Sequence, residues 1–489
     1  MIQTLIHSTV NNNYYIYDDR SRLSLLIHPE IKKVYEQFRD VDPYYLKKYA
    51  YLKKKGFFTE TVVPQFKKVS EIDVLDSIIQ TTQIVFEVTD SCNLNCVYCG
   101  YGKMFQVTDK REYNNLHIEN AIKLLKYVFN LKAKSCKNKL MIGFYGGEPL
   151  LNMNFIQQII DVVSQLNTNK ILDIEYSMTT NATLIYKHLD FLVANKIYLT
   201  ISLDGDKNNH AYRIFGKGEK NSFDTVIRNI DLIQEKYVKY FDKYVNFISV
   251  LHDRNSVKNI YEFIYSRYNK IPAIIELNMA DCKPDKKDVL DRMFQSKRES
   301  ETIYQNECLN KIQKTQYETS FFHELVNFVK YYNINYYVLN KISLYNKKEK
   351  YLPTGTCLPF SLKIFLTVKN KLLPCEKINF RYSLGKVNDN VEIDFQEIAQ
   401  RYNYYFEHAL DICERCYCYK FCGSCIFHFV NMDKLDSEDL NCDYFQDQEN
   451  FEKTLYEYFS FLEKYPNEFF SIIENLNYNL IYGIRRKNQ

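Results

Sequence analysis

The chain lacks the features that would place it in a membrane, outside the cell or on nucleic acid. No run of eighteen or more apolar residues occurs, so no membrane-spanning helix is expected. The opening MIQTLIHSTVNNNYY lacks the charged and then long apolar pattern of a signal peptide, which predicts a cytoplasmic protein. The formal net charge of +4 is spread along the chain, with no basic tail and no Arg-rich helix, so neither membrane nor nucleic acid is an expected partner. No internal repeat of fixed period stands out beyond an alternation of strand and helix patterns.

Cysteine, by contrast, is plentiful. Of 14 cysteines, three fall at 92–99 and eight between 357 and 442, while Cys136, Cys282 and Cys308 are scattered. A chain of 58.5 kDa without a signal is not a small disulfide scaffold. Clustered cysteines in a cytoplasmic protein point instead to metal or redox chemistry.

A length of 489 residues predicts two or three domains. Residues 1–62 read as a small separate unit. IHSTV and YYIYD can pair as strands around Asn11–Asn13, and LSLLI precedes Pro29. Pro29 opens a helix in which Ile31, Val34, Tyr35 and Phe38 have helical spacing, and a second helix, YLKKYAYLKKK, stops at Gly56. Strands followed by short helices give a winged-helix-like outline. Residues 63–82 read as a linker.

From residue 83 to about 340 the pattern is α/β: IVFEVT, LMIGFY, LDIEYSM, IYLTISL, VNFISVL and IIELNM alternate with helical stretches such as HIENAIKLLKYVF and FIQQIIDVVSQL. Six such units predict a parallel sheet closed into a partial (β/α)6 TIM-like barrel, with its chemistry at the C-terminal strand ends. Overlapping the end of this span, residues 281–350 read as a helical spacer or cover. A cysteine-rich segment follows over 355–445 and a helical tail, with the amphipathic FEKTLYEYFSFLEKY, over 446–489.

In FEVTDSCNLNCVYCGY, a strand ends at Thr89 and Cys92, Cys96 and Cys99 follow with spacing C-x3-C-x2-C. Three thiolates on a four-iron cluster leave one iron open to the amino and carboxylate groups of a methionine. Zinc would need a fourth protein ligand nearby, and Cys136 is far along the chain.

This spacing after the first strand, with Tyr98 before the last cysteine, resembles the radical S-adenosylmethionine (SAM) superfamily. The resemblance covers about residues 83–445 and implies a [4Fe-4S] cluster whose electron cleaves SAM to a 5′-deoxyadenosyl radical. It also implies that Gly146, Gly147 and Glu148, in MIGFYGGEPL, bind the SAM amino group. Asn181, Ser202 and Asp204, at the next strand ends, would contact ribose and carboxylate, and Arg213 could pair with that carboxylate.

The later cysteines resemble the SPASM extension of this superfamily, which implies two auxiliary [4Fe-4S] clusters. Cys413, Cys416, Cys422 and Cys442 would hold the distal cluster, and Cys357, Cys375 and Cys425 would contribute to the proximal one. Two residues, rather than the family's three, separate Cys422 from Cys425, so Cys418 is an alternative to Cys425. Asn370 stands where a glycine is usual, and asparagine tolerates the left-handed conformation. Paired C-x2-C spacing is also ordinary for zinc, which is the competing reading of this segment.

The resemblance implies a maturase that modifies a ribosomally made precursor peptide, by a cross-link such as a thioether or by epimerisation. Residues 1–62 resemble a recognition element that grips the leader of such a peptide by strand addition. An electron donor such as a flavodoxin or ferredoxin is a further implied partner. The alternative is an anaerobic sulfatase-maturing, formylglycine-generating enzyme. A reading of another class is a non-enzymatic electron carrier or zinc scaffold. No catalytic acid or base is assigned by the sequence.

Overall fold

The computed structural model describes residues 4–59, 67–106, 109–133, 138–216, 220–279, 281–308, 319–331, 352–419, 422–429, 432, 435, 440–470 and 472–474. Cys136 therefore lies outside the described residues. The chain packs as two units, residues 1–68, 321–356 and 403–489 in one, residues 69–320 and 357–402 in the other.

In the first unit, strands β1 (Leu5–Ser8), β2 (Tyr14–Asp18) and β3 (Leu23–Ile27) form an antiparallel sheet in that order. The helices Pro29–Tyr35 and Pro43–Lys54 follow, each with proline in its first turn, where the missing N–H costs nothing. Gly56 stops the second helix at φ +93°, and Phe57 N–H closes back on Leu52 C=O at 3.1 Å. One sheet face lays Leu5 and Tyr17 into a core with Leu325, Phe451, Leu455 and Phe459, so the expected helical tail, observed at Gln448–Lys464, covers the N-terminal strands.

The second unit contains one sheet. Strands β4 (Gln83–Thr89), β5 (Lys139–Gly146), β6 (Asp173–Thr180), β7 (Tyr198–Ser202), β8 (Val245–Leu251) and β9 (Ala273–Glu276) are all parallel and lie in chain order. These are the six strands expected of a partial barrel. The sequence reading missed the other edge, where β10 (Lys363–Leu366) runs parallel to β4 and β11 (Lys371–Leu373), β12 (Gly385–Val387) and β13 (Val391–Glu392) continue antiparallel. Part of the cysteine-rich segment thus extends the barrel sheet.

The segment 63–82, expected to be a linker, instead carries a helix, Glu71–Ile79. Ser70 and Asp73 form a capping box, and Val74 and Ile78 are buried. The buried Lys132 ammonium donates to Ile79 O, at the end of this helix, at 3.4 Å and to Thr81 O at 2.7 Å.

The two sheet faces differ. Residues on the helix side are buried: Phe86 meets Phe155 edge-on at 5.9 Å, and Met178, Leu199, Ile201 and Phe247 are at most 2 % exposed. On the opposite face Ser177, Thr179, Thr200, Ser202, Ile248 and Val250, matched by register, are all partly exposed. A closed eight-stranded barrel fills its interior with side chains. Here the C-terminal halves of β6, β7 and β8 line the inner face with short polar and β-branched residues, while Glu87 and Tyr145 stand on it from β4 and β5.

Candidate active site

The cysteine loop leaves β4 at Thr89 and is fixed along its length by neighbours. Asp90 accepts from Glu112 N–H at 3.0 Å and Asn114 N–H at 2.8 Å. Beyond it, Asn95 N–H donates to Ile214 O at 2.8 Å and Val97 N–H to Tyr212 O at 3.1 Å. The segment around Arg213 is thus an antiparallel partner of the cysteine loop. Cys92 Sγ accepts from Leu94 N–H at 3.4 Å and Asn181 Nδ2 at 3.7 Å, and Cys99 Sγ accepts from Arg111 Nη2 at 3.5 Å. Burial pushes the Cys92 thiol up to about 11 and Cys96 up to about 12. Donors to sulfur together with nearby guanidinium groups are the surroundings an iron–sulfur cluster uses. The donor set fits such a cluster.

Gly146 and Gly147 are required by this loop directly. Gly146 has φ +129°, and a Cβ there would stand 2.3 Å from Thr89 O. A Cβ on Gly147 would stand 2.0 Å from Ser91 O, the residue before Cys92. Gly147 and Glu148 donate their N–H groups to Thr89 O and Ser91 O at 2.8 and 2.9 Å. The glycines let the end of β5 lie against the end of β4.

Glu148 is fully buried. Its carboxylate accepts from Thr180 Oγ1 at 2.7 Å, Asn181 N–H at 2.7 Å and Leu150 N–H at 3.1 Å, which ties β5 to β6. Burial pushes its carboxyl up to about 7 against those donors. Asn181 then donates to Asn93 Oδ1 at 2.9 Å as well as to Cys92.

Asp204 and Arg213 meet each other. Arg213 Nε and Nη2 donate to the two oxygens of Asp204 at 2.8 and 3.0 Å, and the pair is buried. Tyr98 OH and Val250 N–H also donate to Asp204. Burial alone would raise the Asp204 carboxyl; the Arg213 guanidinium, with His252, overrides it and holds the group well below the usual carboxylate range. The two side chains expected at SAM ribose and carboxylate thus form an internal lock, with Tyr98 pinning the cysteine loop to it. Ser202, the last residue of β7, remains partly exposed on the inner face.

Among the later cysteines, Cys375 lies two residues beyond β11, and its sulfur accepts from Lys377 N–H at 3.3 Å; Cys357 is exposed. Both belong to the barrel unit. In the first unit Cys413 ends the helix Phe395–Cys413, and burial followed by the nearby Cys422, Cys416 and Cys442 sulfurs raises its thiol. Cys416 accepts from Gln446 N–H and Cys422 from Ser424 N–H, each at 3.4 Å. Cys418 neighbours Cys416, and Cys425 precedes the short turn Ile426–His428. Among the described residues no three His, Cys, Asp or Glu side chains are grouped to hold a single metal ion.

The geometry brings in residues that the sequence reading passed over. Glu87, 1 % exposed on the inner face of β4, accepts from Tyr101 OH at 2.9 Å and Val368 N–H at 2.9 Å. A carboxylate inside an apolar strand was the available signal. Arg111 carried none.

Residues 86–264, from β4 through most of the helix after β8, match the radical SAM superfamily. This is a radical SAM domain. It resembles an uncharacterised protein of Methanocaldococcus jannaschii, 32 % identical over 29 % of this chain and 46 % of the other. A cysteine-type anaerobic sulfatase-maturating enzyme of Clostridium novyi is 27 % identical over 37 % of this chain and 47 % of the relative. The radical SAM cyclopropyl synthase TigE of Paramaledivibacter caminithermalis is 28 % identical over 35 % and 36 %. The chain spans less than half the length of each of these relatives. Among solved structures, anSMEcpe with bound AdoMet superposes with TM-score 0.51 over 82 % of this chain and 100 % of the other at 19 % identity, a likeness of fold. The radical SAM match over these residues implies a [4Fe-4S] cluster and SAM. Among the described residues no helix is long and apolar enough to cross a membrane.

Proposed function

We propose that the chain is a radical SAM maturase that abstracts hydrogen from a ribosomally made peptide to install a cross-link or an epimerised residue. The observation that carries this reading is the C-x3-C-x2-C loop, packed between the ends of β4, β5 and β6 beside the partly exposed inner-face residues of β6, β7 and β8. Cys92, Cys96 and Cys99 would hold the cluster, which when bound supplies the electron that cleaves SAM. The chain's own residues do the rest. Gly146 and Gly147 bring β5 against the loop, Glu148 and Asn181 clamp β6 to it, and Tyr98, Asp204 and Arg213 fix its far end. Ser202 and its neighbours leave room for substrate.

Cys413, Cys416, Cys422 and Cys442 would hold an auxiliary cluster, and Cys357 and Cys375 would contribute to another. Four neighbouring thiols that bind different irons suit such a cluster. An external one-electron donor of flavodoxin or ferredoxin type would reduce the enzyme.

Support for a peptide substrate comes from β3, an edge strand with Leu26 64 % exposed, to which a leader could add as a fourth strand. β2 is the middle strand and is not available for this. A sulfatase-maturing activity is the second reading; it rests on relatives of that name and on anSMEcpe, solved with bound AdoMet and a Kp18Cys peptide. The separating experiment incubates the reconstituted chain with SAM, dithionite and either a short peptide encoded beside its gene or a Cys-containing sulfatase peptide. A mass change in the first alone supports the maturase. Conversion of the sulfatase peptide to formylglycine alone overturns it.

A further inference from the structure

Two guanidinium groups stand beside the cysteine loop, and they differ in what balances their charge. Arg213 is paired with Asp204 in a buried, bidentate contact. Arg111 is partly buried, and among the described residues no carboxylate pairs with it. Its Nη2 donates to Cys99 Sγ at 3.5 Å, its guanidinium carbon lies 4.7 Å over the Tyr101 ring, and its Nε is buried without a hydrogen-bond partner. Tyr101 is held in turn by Glu87, whose other oxygen takes Val368 N–H from the turn between β10 and β11. Asn370 completes that turn in the left-handed conformation, φ +62°, with its N–H on Thr367 O at 2.9 Å. The strand β4, the loop after Cys99 and the β10–β11 turn therefore hold one unneutralised cation against one cysteine sulfur.

We infer that Arg111 is a positioning residue that makes the cluster on Cys92, Cys96 and Cys99 easier to reduce, with Tyr101 and Glu87 aiming it. The inference rests on those cysteines being cluster ligands. Reduction adds one negative charge to the cluster. A cation within hydrogen-bond reach of a ligand sulfur stabilises the reduced form more than the oxidised one, and hydrogen bonds to sulfur shift cluster potentials in this way. Arginine suits the place because its flat face stacks on Tyr101 while its edge points at sulfur, which a lysine ammonium does not reproduce.

The test is an EPR-monitored reductive titration with dithionite and mediator dyes on the full, anaerobically reconstituted chain, reading the part of the signal that changes when SAM is added. At a fixed solution potential, R111Q should show a reduced-to-oxidised ratio about tenfold lower than wild type, about the effect of losing one charge-assisted hydrogen bond. R111K should fall between the two and Y101F about twofold below wild type. An unchanged ratio in iron-replete R111Q overturns the proposal, as does an R111K ratio equal to that of R111Q. If R111Q fails to retain iron, Y101F decides, and a ratio equal to wild type overturns the proposal. Absence of any SAM-dependent signal in the wild type would refute the cluster assignment itself, a distinct failure.

Discussion

Asp204 is a buried carboxylate whose charge is balanced within the protein. It accepts from Arg213 twice, from Val250 N–H and from Tyr98 OH, in a position with no solvent. Removing one member of a buried pair leaves the other charged and unpaired, so D204N should destabilise the fold by about 3–5 kcal/mol in urea unfolding. Replacing both partners with apolar residues, as in D204L/R213M, should restore part of the loss. A D204N loss within the roughly 0–1 kcal/mol of a surface pair would contradict the lock. Glu87 offers a pH-dependent counterpart. Burial raises its folded pKa to about 7 from the ordinary carboxyl value of 4.5. Between those values the unfolded chain loses a proton that the folded chain keeps, so stability from this group is full below about 4.5 and declines as pH rises toward about 7. E87Q, which cannot ionise, should therefore gain on wild type across that window, by about 1–3 kcal/mol. A constant difference from pH 4 to 8 would contradict the assignment. Glu148 and Asp204 stand just beyond the ends of β5 and β7, where the strand pattern puts them, and Arg213 lies further along the loop after β7. Their partners were not legible. Nothing in the spacing of Asp204 and Arg213 states that they face each other, and a charge pair seated in the protein reads the same in sequence as one awaiting a ligand.

At the scale of elements, the two glycines after β5 decide how closely the strand ends approach. Gly147 abuts Ser91 O so tightly that any side chain must push the loop carrying Cys92. G147A should destabilise the chain by about 1–3 kcal/mol, as overpacking does, and should cut reconstituted iron by about one cluster. Full iron in G147A, measured by ferrozine assay, would show that the loop tolerates displacement. The six parallel strands were legible because each is an apolar run with a helical pattern after it. Strands β10–β13 were not, being two to four residues long and shaped by pairing with β4 rather than by their own pattern. The helix Glu71–Ile79 is less legible because it is only nine residues long, although its capping box, Ser70 to Asp73, stands in the sequence.

For the molecule as a whole, the division into two units alters how the recognition role must be tested. Deleting residues 1–62 would strip Leu5 and Tyr17 from a core that also holds Phe451, Leu455 and Phe459. Such a truncation would expose apolar surface and confound recognition with folding. L26D, on the exposed face of the edge strand β3, is the cleaner variant. It should weaken leader-peptide binding by about tenfold or more while SAM cleavage without peptide stays at the wild-type rate. Equal peptide affinity in L26D would remove β3 from the recognition surface. The central claim is that Cys92, Cys96 and Cys99 together hold the cluster that cleaves SAM. It is tested most directly by measuring 5′-deoxyadenosine released by the anaerobically reconstituted chain with SAM and dithionite. The wild type should release it and hold about twelve irons, as three four-iron clusters require. C92A/C96A/C99A should hold about four fewer and release none. Continued release from the triple variant, or a wild type that carries tightly bound zinc and no iron, would contradict the account.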